Sequence, residues 1–228
     1  LEDIRMQRAV ALLNEGDEVI IPKPYWVSYP SMVELAGGKP VYVDAGIEQD
    51  FKVTPGQIEE AITTKTKAFL FNSPSNPTGS VYTVEEINAI AELFKKYPDI
   101  LIISDEIYEL IIFEGAHKSP AEYSWLKDQV VIVNGVSKGF AMTGWRIGYI
   151  AAPQFIADAC SKLQGQYTSG AGTISQMAAV EAVNPPPSES SELKDMNKAF
   201  VERRDLLISL MKEIPKVKTN VPGGAFYL

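Results

Sequence analysis

Lys138 stands at the end of the run Val131-Ile132-Val133-Asn134-Gly135-Val136-Ser137-Lys138-Gly139, and Arg146 follows eight positions later, between Gly144 and Gly148. The apolar run reads as a strand that delivers a lysine into a Gly-rich turn. A lysine that acts as a nucleophilic amine needs low polarity around it and a rigid mount. A guanidinium fork matches phosphate oxygens two at a time. The small residues flanking Arg146 allow a ligand to approach the backbone closely.

A nucleophilic amine beside a phosphate clamp is suited to a phosphate-bearing aldehyde held as a Schiff base, which describes pyridoxal 5'-phosphate. Three other segments supply residues that such a ligand uses. Asp105, in Ser104-Asp105-Glu106-Ile107-Tyr108, reads either as a helix-capping carboxylate or as the partner of a ring nitrogen. A carboxylate there keeps the nitrogen protonated, and a protonated ring is the better electron sink. Tyr108 reads as a half-buried tyrosine or as a donor to the ring's phenolic oxygen. Asn76, in Asn76-Pro77-Thr78-Gly79, makes a good turn by itself and offers an amide to the same oxygen. Trp26 stacks on a planar ring or fills a core, and Ser137 donates to a phosphate or stabilises its turn. Arg146 has an alternative reading as a structural ion pair. His117 has no partner in the pattern and reads as a surface loop residue. No metal-ligand spacing appears, and Ser137 lacks the paired histidine of a hydrolase.

Apolar strand-like runs alternate with helical segments and so place these residues. Strands are expected over Glu18–Ile21, Pro40–Val43, Lys67–Phe71, Ile100–Ser104, Val130–Asn134 and Arg146–Ala151. Helices are expected over Met6–Leu13, Met32–Leu35, Thr54–Ile62, Thr83–Tyr97, Pro153–Thr168, Ile174–Val183 and Glu192–Lys212. Glu86 stands three residues after Thr83, the spacing of a reciprocal helix cap. The pattern predicts an α/β fold with a mainly parallel central sheet flanked by helices. Such sheets bind ligands beyond the carboxyl ends of their strands. Asn76, Asp105 and Lys138 each follow the end of a different strand.

The 228 residues are 46% apolar and 22% charged, as in ordinary globular protein. The net charge of −8 argues against nucleic acid and anionic membranes as main partners. A single cysteine, Cys160, rules out an internal disulfide framework, and a cytoplasmic location is the simplest expectation. The chain opens at Leu1 without methionine and closes on Gly223-Gly224-Ala225-Phe226-Tyr227-Leu228, a turn leading into an unfinished strand. A fragment is therefore expected: a large cofactor-binding domain over residues 1–190, then a long helix and the start of a small domain over 191–228.

Four segments, in order, carry a family resemblance: Pro24-Tyr25-Trp26-Val27-Ser28-Tyr29, Asn72-Ser73-Pro74-Ser75-Asn76-Pro77-Thr78-Gly79, Ser104-Asp105-Glu106-Ile107-Tyr108, and Ser137-Lys138 through Gly148. With them the chain resembles the fold-type-I, class I aminotransferases dependent on pyridoxal phosphate, and most closely the bacterial aspartate aminotransferase group. The resemblance implies amino transfer from an amino acid, with aspartate foremost, to a 2-oxo acid. Lys138 would form the Schiff base and shuttle the proton, while Asp105 pairs with the ring nitrogen. Asn76 and Tyr108 would bind the phenolic oxygen, Trp26 would stack on the ring, and Arg146 would hold the phosphate. A homodimer is also implied. Two alternatives stay open: a C–S lyase or other reaction on the same scaffold, and a truncated, non-catalytic cofactor-binding module. The family's Gly-rich phosphate loop has no counterpart in Leu1-Glu2-Asp3-Ile4-Arg5. Arg5 and Arg8 are the available cations for a second substrate carboxylate.

Overall fold

The computed structural model describes residues 12–228. The cations Arg5 and Arg8, and all but the last two residues of the helix expected over Met6–Leu13, lie outside them. Among the described residues, six strands form one sheet: β1 (Glu18–Lys23), β2 (Lys39–Asp44), β3 (Thr66–Asn72), β4 (Leu101–Asp105), β5 (Val130–Gly135) and β6 (Gly148–Ala151). Their order is β2-β1-β3-β4-β5-β6. All neighbours are parallel except β5 and β6, which pair antiparallel from Gly135↔Gly148 to Ile132↔Ala151.

Both faces of the sheet are covered over the central strands β1, β3, β4 and β5, which accounts for their mostly buried, apolar runs. On one face Ile20, Phe69, Phe71 and Ile102 pack beneath α2 (Pro55–Ala61) and α3 (Val84–Phe94). On the other, Val19, Ile21, Leu70 and Val131 pack beneath α1 (Ser28–Leu35) and α4 (Gln154–Tyr167), through Val33 and Ile156. Each fully buried Phe or Ile contributes roughly 1.5–3 kcal/mol, enough to hold the strand ends rigid. The reciprocal cap expected at Thr83 forms. Thr83 Oγ1 accepts from Glu86 N at 3.2 Å, and Glu86 Oε2 accepts from Thr83 N at 2.7 Å. Two further helices follow, α5 (Thr173–Val183) and α6 (Ser191–Met211).

The segment after α6 packs against the loops that follow β3 and β4. Gly223 N and Gly224 N donate to Gly79 O at 2.9 and 3.0 Å, and Ala225 N donates to Ile111 O at 2.9 Å. Gly79 has φ +65°, and a Cβ built on it would lie 2.5 Å from Pro222 Cβ and 2.9 Å from Gly224 O. An L side chain is strained in that backbone region, and the clash has backbone on its far side. Gly79→Ala is therefore expected to destabilise the protein by about 2 kcal/mol or more, read as a lowered urea midpoint. An unchanged midpoint would show that residues 222–225 do not dock as described.

Candidate active site

Four adjacent strands, β1, β3, β4 and β5, end on the same rim of the sheet, and each passes into a loop carrying polar side chains. Trp26 and Tyr29 follow β1, Asn72 and Asn76 stand at and beyond the end of β3, Asp105 and Tyr108 at the end of β4, and Ser137 and Lys138 after β5. Because β6 runs antiparallel to β5, its start lies at that same rim, and Arg146 just precedes it. These residues line one cleft with about 170 Å³ of water-accessible space, partly open to solvent. All seven residues singled out in the sequence (Trp26, Asn76, Asp105, Tyr108, Ser137, Lys138 and Arg146) thus share one cavity.

Asp105 is buried at the floor, 2% exposed. Tyr29 O–H donates to its Oδ2 at 2.8 Å and Ile107 N to its Oδ1 at 3.3 Å. Asn72 Nδ2 donates to Asp105 O at 2.9 Å, and Asn72 Oδ1 accepts from Asn76 N at 2.8 Å. One amide thereby ties the β3 loop to the β4 end. Trp26 packs edge-on against Tyr29, with ring centroids 5.3 Å apart.

Lys138 is half-buried beneath aromatic rings, its Nζ 5.7 Å from the centroid of Tyr108 and 5.3 Å from that of Phe226. Its mount is tight: a Cβ on Gly139 would fall 2.8 Å from Leu110 Cδ1. Ser137 Oγ is buried with no hydrogen-bond partner among the described residues. Arg146 is not the first residue of a strand, as its sequence suggested. It adopts φ +57° in the left-handed region, two residues before β6, and its Nη1 donates to Thr143 O at 3.0 Å. A non-glycine residue held there costs of order 1–3 kcal/mol, and such strain clusters at ligand sites. The cleft is therefore polarised, with an acidic group at its floor and a hydroxyl, an amine and a guanidinium elsewhere on its wall.

His117 corrects the sequence reading. It stands in a loop as expected but not at the surface, since its side chain is 15% exposed and its Nε2 lies 3.0 Å from Glu106 Oε2. Glu106 Oε1 also accepts from Ser104 Oγ and Ser119 Oγ, each at 2.7 Å. With Glu109, these groups bring three potential ligand atoms within 4.8 Å of one another, a juxtaposition that spacing along the chain did not announce. Burial pushes the Glu109 carboxyl above the usual range, against the opposing hydrogen bond from Asn134 Nδ2. The network clamps the loop that follows Asp105.

Three lining residues escaped the sequence reading. Tyr29 and Asn72 were visible inside the quoted segments but act through Asp105 and Asn76. Tyr227 has no local signal. Its hydroxyl lies 3.2 Å from Asn76 Nδ2 and 2.7 Å from Tyr108 Oη, across separations of 151 and 119 residues.

Residues 5–228 match the family described as aminotransferase class I and II. The chain belongs to that family. An aspartate aminotransferase of Bacillus sp. (strain YM-2) is 51% identical over 219 residues, covering 95% of this chain and 55% of the relative. An aspartate/prephenate aminotransferase of Cereibacter sphaeroides is 49% identical, covering 96% and 54%. Among solved structures, the aspartate aminotransferase of Rhizobium meliloti superposes with a TM-score of 0.94 at 39% identity, covering 98% of this chain and 56% of the other. The aromatic aminotransferase of Pyrococcus horikoshii gives 0.92 at 37%, covering 98% and 60%. The expected fold, a mostly parallel sheet flanked by helices, is that of these class I aminotransferases. The chain spans about half the length of the curated relatives it matches.

Proposed function

We infer that the cleft binds pyridoxal 5'-phosphate and belongs to an enzyme that transfers an amino group from an amino acid, with aspartate the first candidate, to a 2-oxo acid. The observation that carries this reading is the convergence on one pocket of Lys138, Asp105 and the Ser137 hydroxyl, which has no hydrogen-bond partner among the described residues. The donor set fits the group at each of its ends. Ser137 and Arg146 suit the phosphate, since a buried hydroxyl without a protein partner wants an acceptor and a guanidinium binds phosphate bidentately. Trp26 offers a flat face to the ring. Asn76 and Tyr108 offer donors to the phenolic oxygen, and Asp105 an acceptor to the ring nitrogen. When bound, the cofactor supplies an aldehyde carbon for an amine and a ring that withdraws electrons from the substrate's α-carbon.

In this reading Lys138 Nζ holds the aldehyde and then carries the proton at the substrate α-carbon, while Asp105 keeps the ring nitrogen protonated. Aspartate as substrate draws its support from the names of the aspartate aminotransferase relatives. A homodimer belongs to the same reading, supported by apolar residues standing in solvent on α4 and α5, among them Phe155 at 65%, Ile174 at 80% and Met177 at 59% exposure. So do a cytoplasmic location and the division into a large domain over 1–190 and a second unit begun by 191–228. No described helix is long and apolar enough to cross a membrane.

Borohydride reduction of the full-length protein loaded with pyridoxal 5'-phosphate, followed by peptide mapping, tests the reading. A pyridoxyl adduct on Lys138 is expected, and an adduct on any other residue overturns it. Release of pyruvate and ammonia from an amino acid without an oxo-acid acceptor would replace amino transfer by a lyase reaction at the same lysine.

A further inference from the structure

Tyr227 belongs to none of the four strand-end loops, yet its hydroxyl lies between the side chains from two of them. Its position is fixed from both sides. The backbone of residues 223–224 is bonded to Gly79, next to the turn that carries Asn76, and Ala225 N is bonded to Ile111 O, beyond Tyr108. The Tyr227 ring packs edge-on against Tyr108, with centroids 5.8 Å apart and an interplanar angle of 81°.

The direction of the hydrogen bonds follows from what each atom can do. An amide nitrogen only donates, so Tyr227 Oη accepts from Asn76 Nδ2 at 3.2 Å. Tyr227 then has one proton to give, and Tyr108 Oη stands 2.7 Å away. A hydroxyl that accepts a bond becomes a stronger donor, because bonds in a chain polarise one another. When Tyr227 gives its proton to Tyr108 Oη, the Tyr108 proton is not spent within the pair.

We propose that Tyr227 is a positioning residue: its hydroxyl orients the Asn76 amide and turns the Tyr108 proton towards the phenolic oxygen of the bound cofactor. This rests on the cofactor reading above. Donors aimed at that oxygen favour its ionised form and lower the pH at which the bound chromophore loses its proton. Tyr227 acts through Tyr108, so its contribution vanishes when Tyr108 has no hydroxyl to orient.

The experiment is a pH titration of the visible absorbance of the full-length protein carrying pyridoxal 5'-phosphate, in the unaltered form and in Tyr227→Phe, Tyr108→Phe and the double variant. Phenylalanine at 227 keeps the ring packing and removes only the hydroxyl. The midpoint in Tyr227→Phe is expected to rise by about half to one pH unit, with cofactor Kd within about threefold of the parent. The double variant is expected to titrate where Tyr108→Phe alone does. An unshifted Tyr227→Phe midpoint in a parent that does titrate overturns the role of Tyr227 and leaves the cofactor site standing. A double variant displaced by the sum of the two single shifts also overturns it, since Tyr227 would then act independently of Tyr108. A parent that takes up no cofactor overturns both readings.

Discussion

Lys138→Ala is expected to fold normally and to lose amino transfer from aspartate to 2-oxoglutarate by at least about 10⁴-fold, or roughly 5 kcal/mol of transition-state stabilisation. In the proposed function one amine serves twice, as the group that would hold the aldehyde and as the carrier of the α-proton, and the size of the effect follows from that. No described neighbour stands in for it. The basic side chain that shares the cleft, Arg146, is bonded to Thr143 O, and a guanidinium does not serve as a nucleophile or base. Folding should survive because the mount does not depend on the amine: Val136 and Ser137 are buried and Gly139 is seated against Leu110. Lys138→Arg separates charge from nucleophilicity, since it keeps the cation and should be nearly as inactive. Initial rates set beside urea midpoints decide the matter. Turnover within tenfold of the parent in either variant, with the fold intact, would remove Lys138 from the chemistry.

The fold was legible because its physics is local. β3, β4 and β5 are continuous apolar runs, as strands buried on both faces must be, and the Thr83–Glu86 spacing specifies where α3 begins. Once those strands were placed, the rim where Asn76, Asp105 and Lys138 meet followed from the parallel topology, in which every strand points its carboxyl end the same way. Arg146 reached the rim by a different route. Only the antiparallel return of β6 brings it there, and its left-handed backbone at φ +57° leaves no mark in composition or periodicity. Tyr227 and the His117–Glu106 pair were illegible for a related reason. Their partners are set by the docking of irregular segments, through backbone bonds such as Gly223 N to Gly79 O at 2.9 Å. Such contacts have no period to read. His117 looked like a surface residue because eleven residues separate it from Glu106, a distance over which the chain has no regular geometry.

Asp105→Asn is expected to lower kcat by about 10³-fold, or roughly 4 kcal/mol, while binding pyridoxal 5'-phosphate and retaining the fold. The substitution preserves size and shape in a position that is 2% exposed, so any cavity is negligible. What changes is the charge and the count of acceptors. Asp105 takes the Tyr29 hydroxyl on Oδ2 at 2.8 Å and Ile107 N on Oδ1 at 3.3 Å. An asparagine has a single acceptor oxygen, so one of those donors faces an amide nitrogen instead. A neutral amide also cannot hold a proton on a ring nitrogen by charge, and each pKa unit lost there is worth about 1.4 kcal/mol. With the cofactor bound as proposed, the electron sink would weaken where the α-carbon gives up its proton, so the loss should fall on kcat rather than on cofactor affinity. Asp105→Glu restores the charge but pushes the carboxylate a methylene further into the cleft, and it is expected to recover only part of the activity. The ordering of the three proteins, parent above Glu above Asn, tests charge and placement together. Equal rates in the parent and Asp105→Asn would show that the buried carboxylate serves Tyr29 and the β4 loop alone.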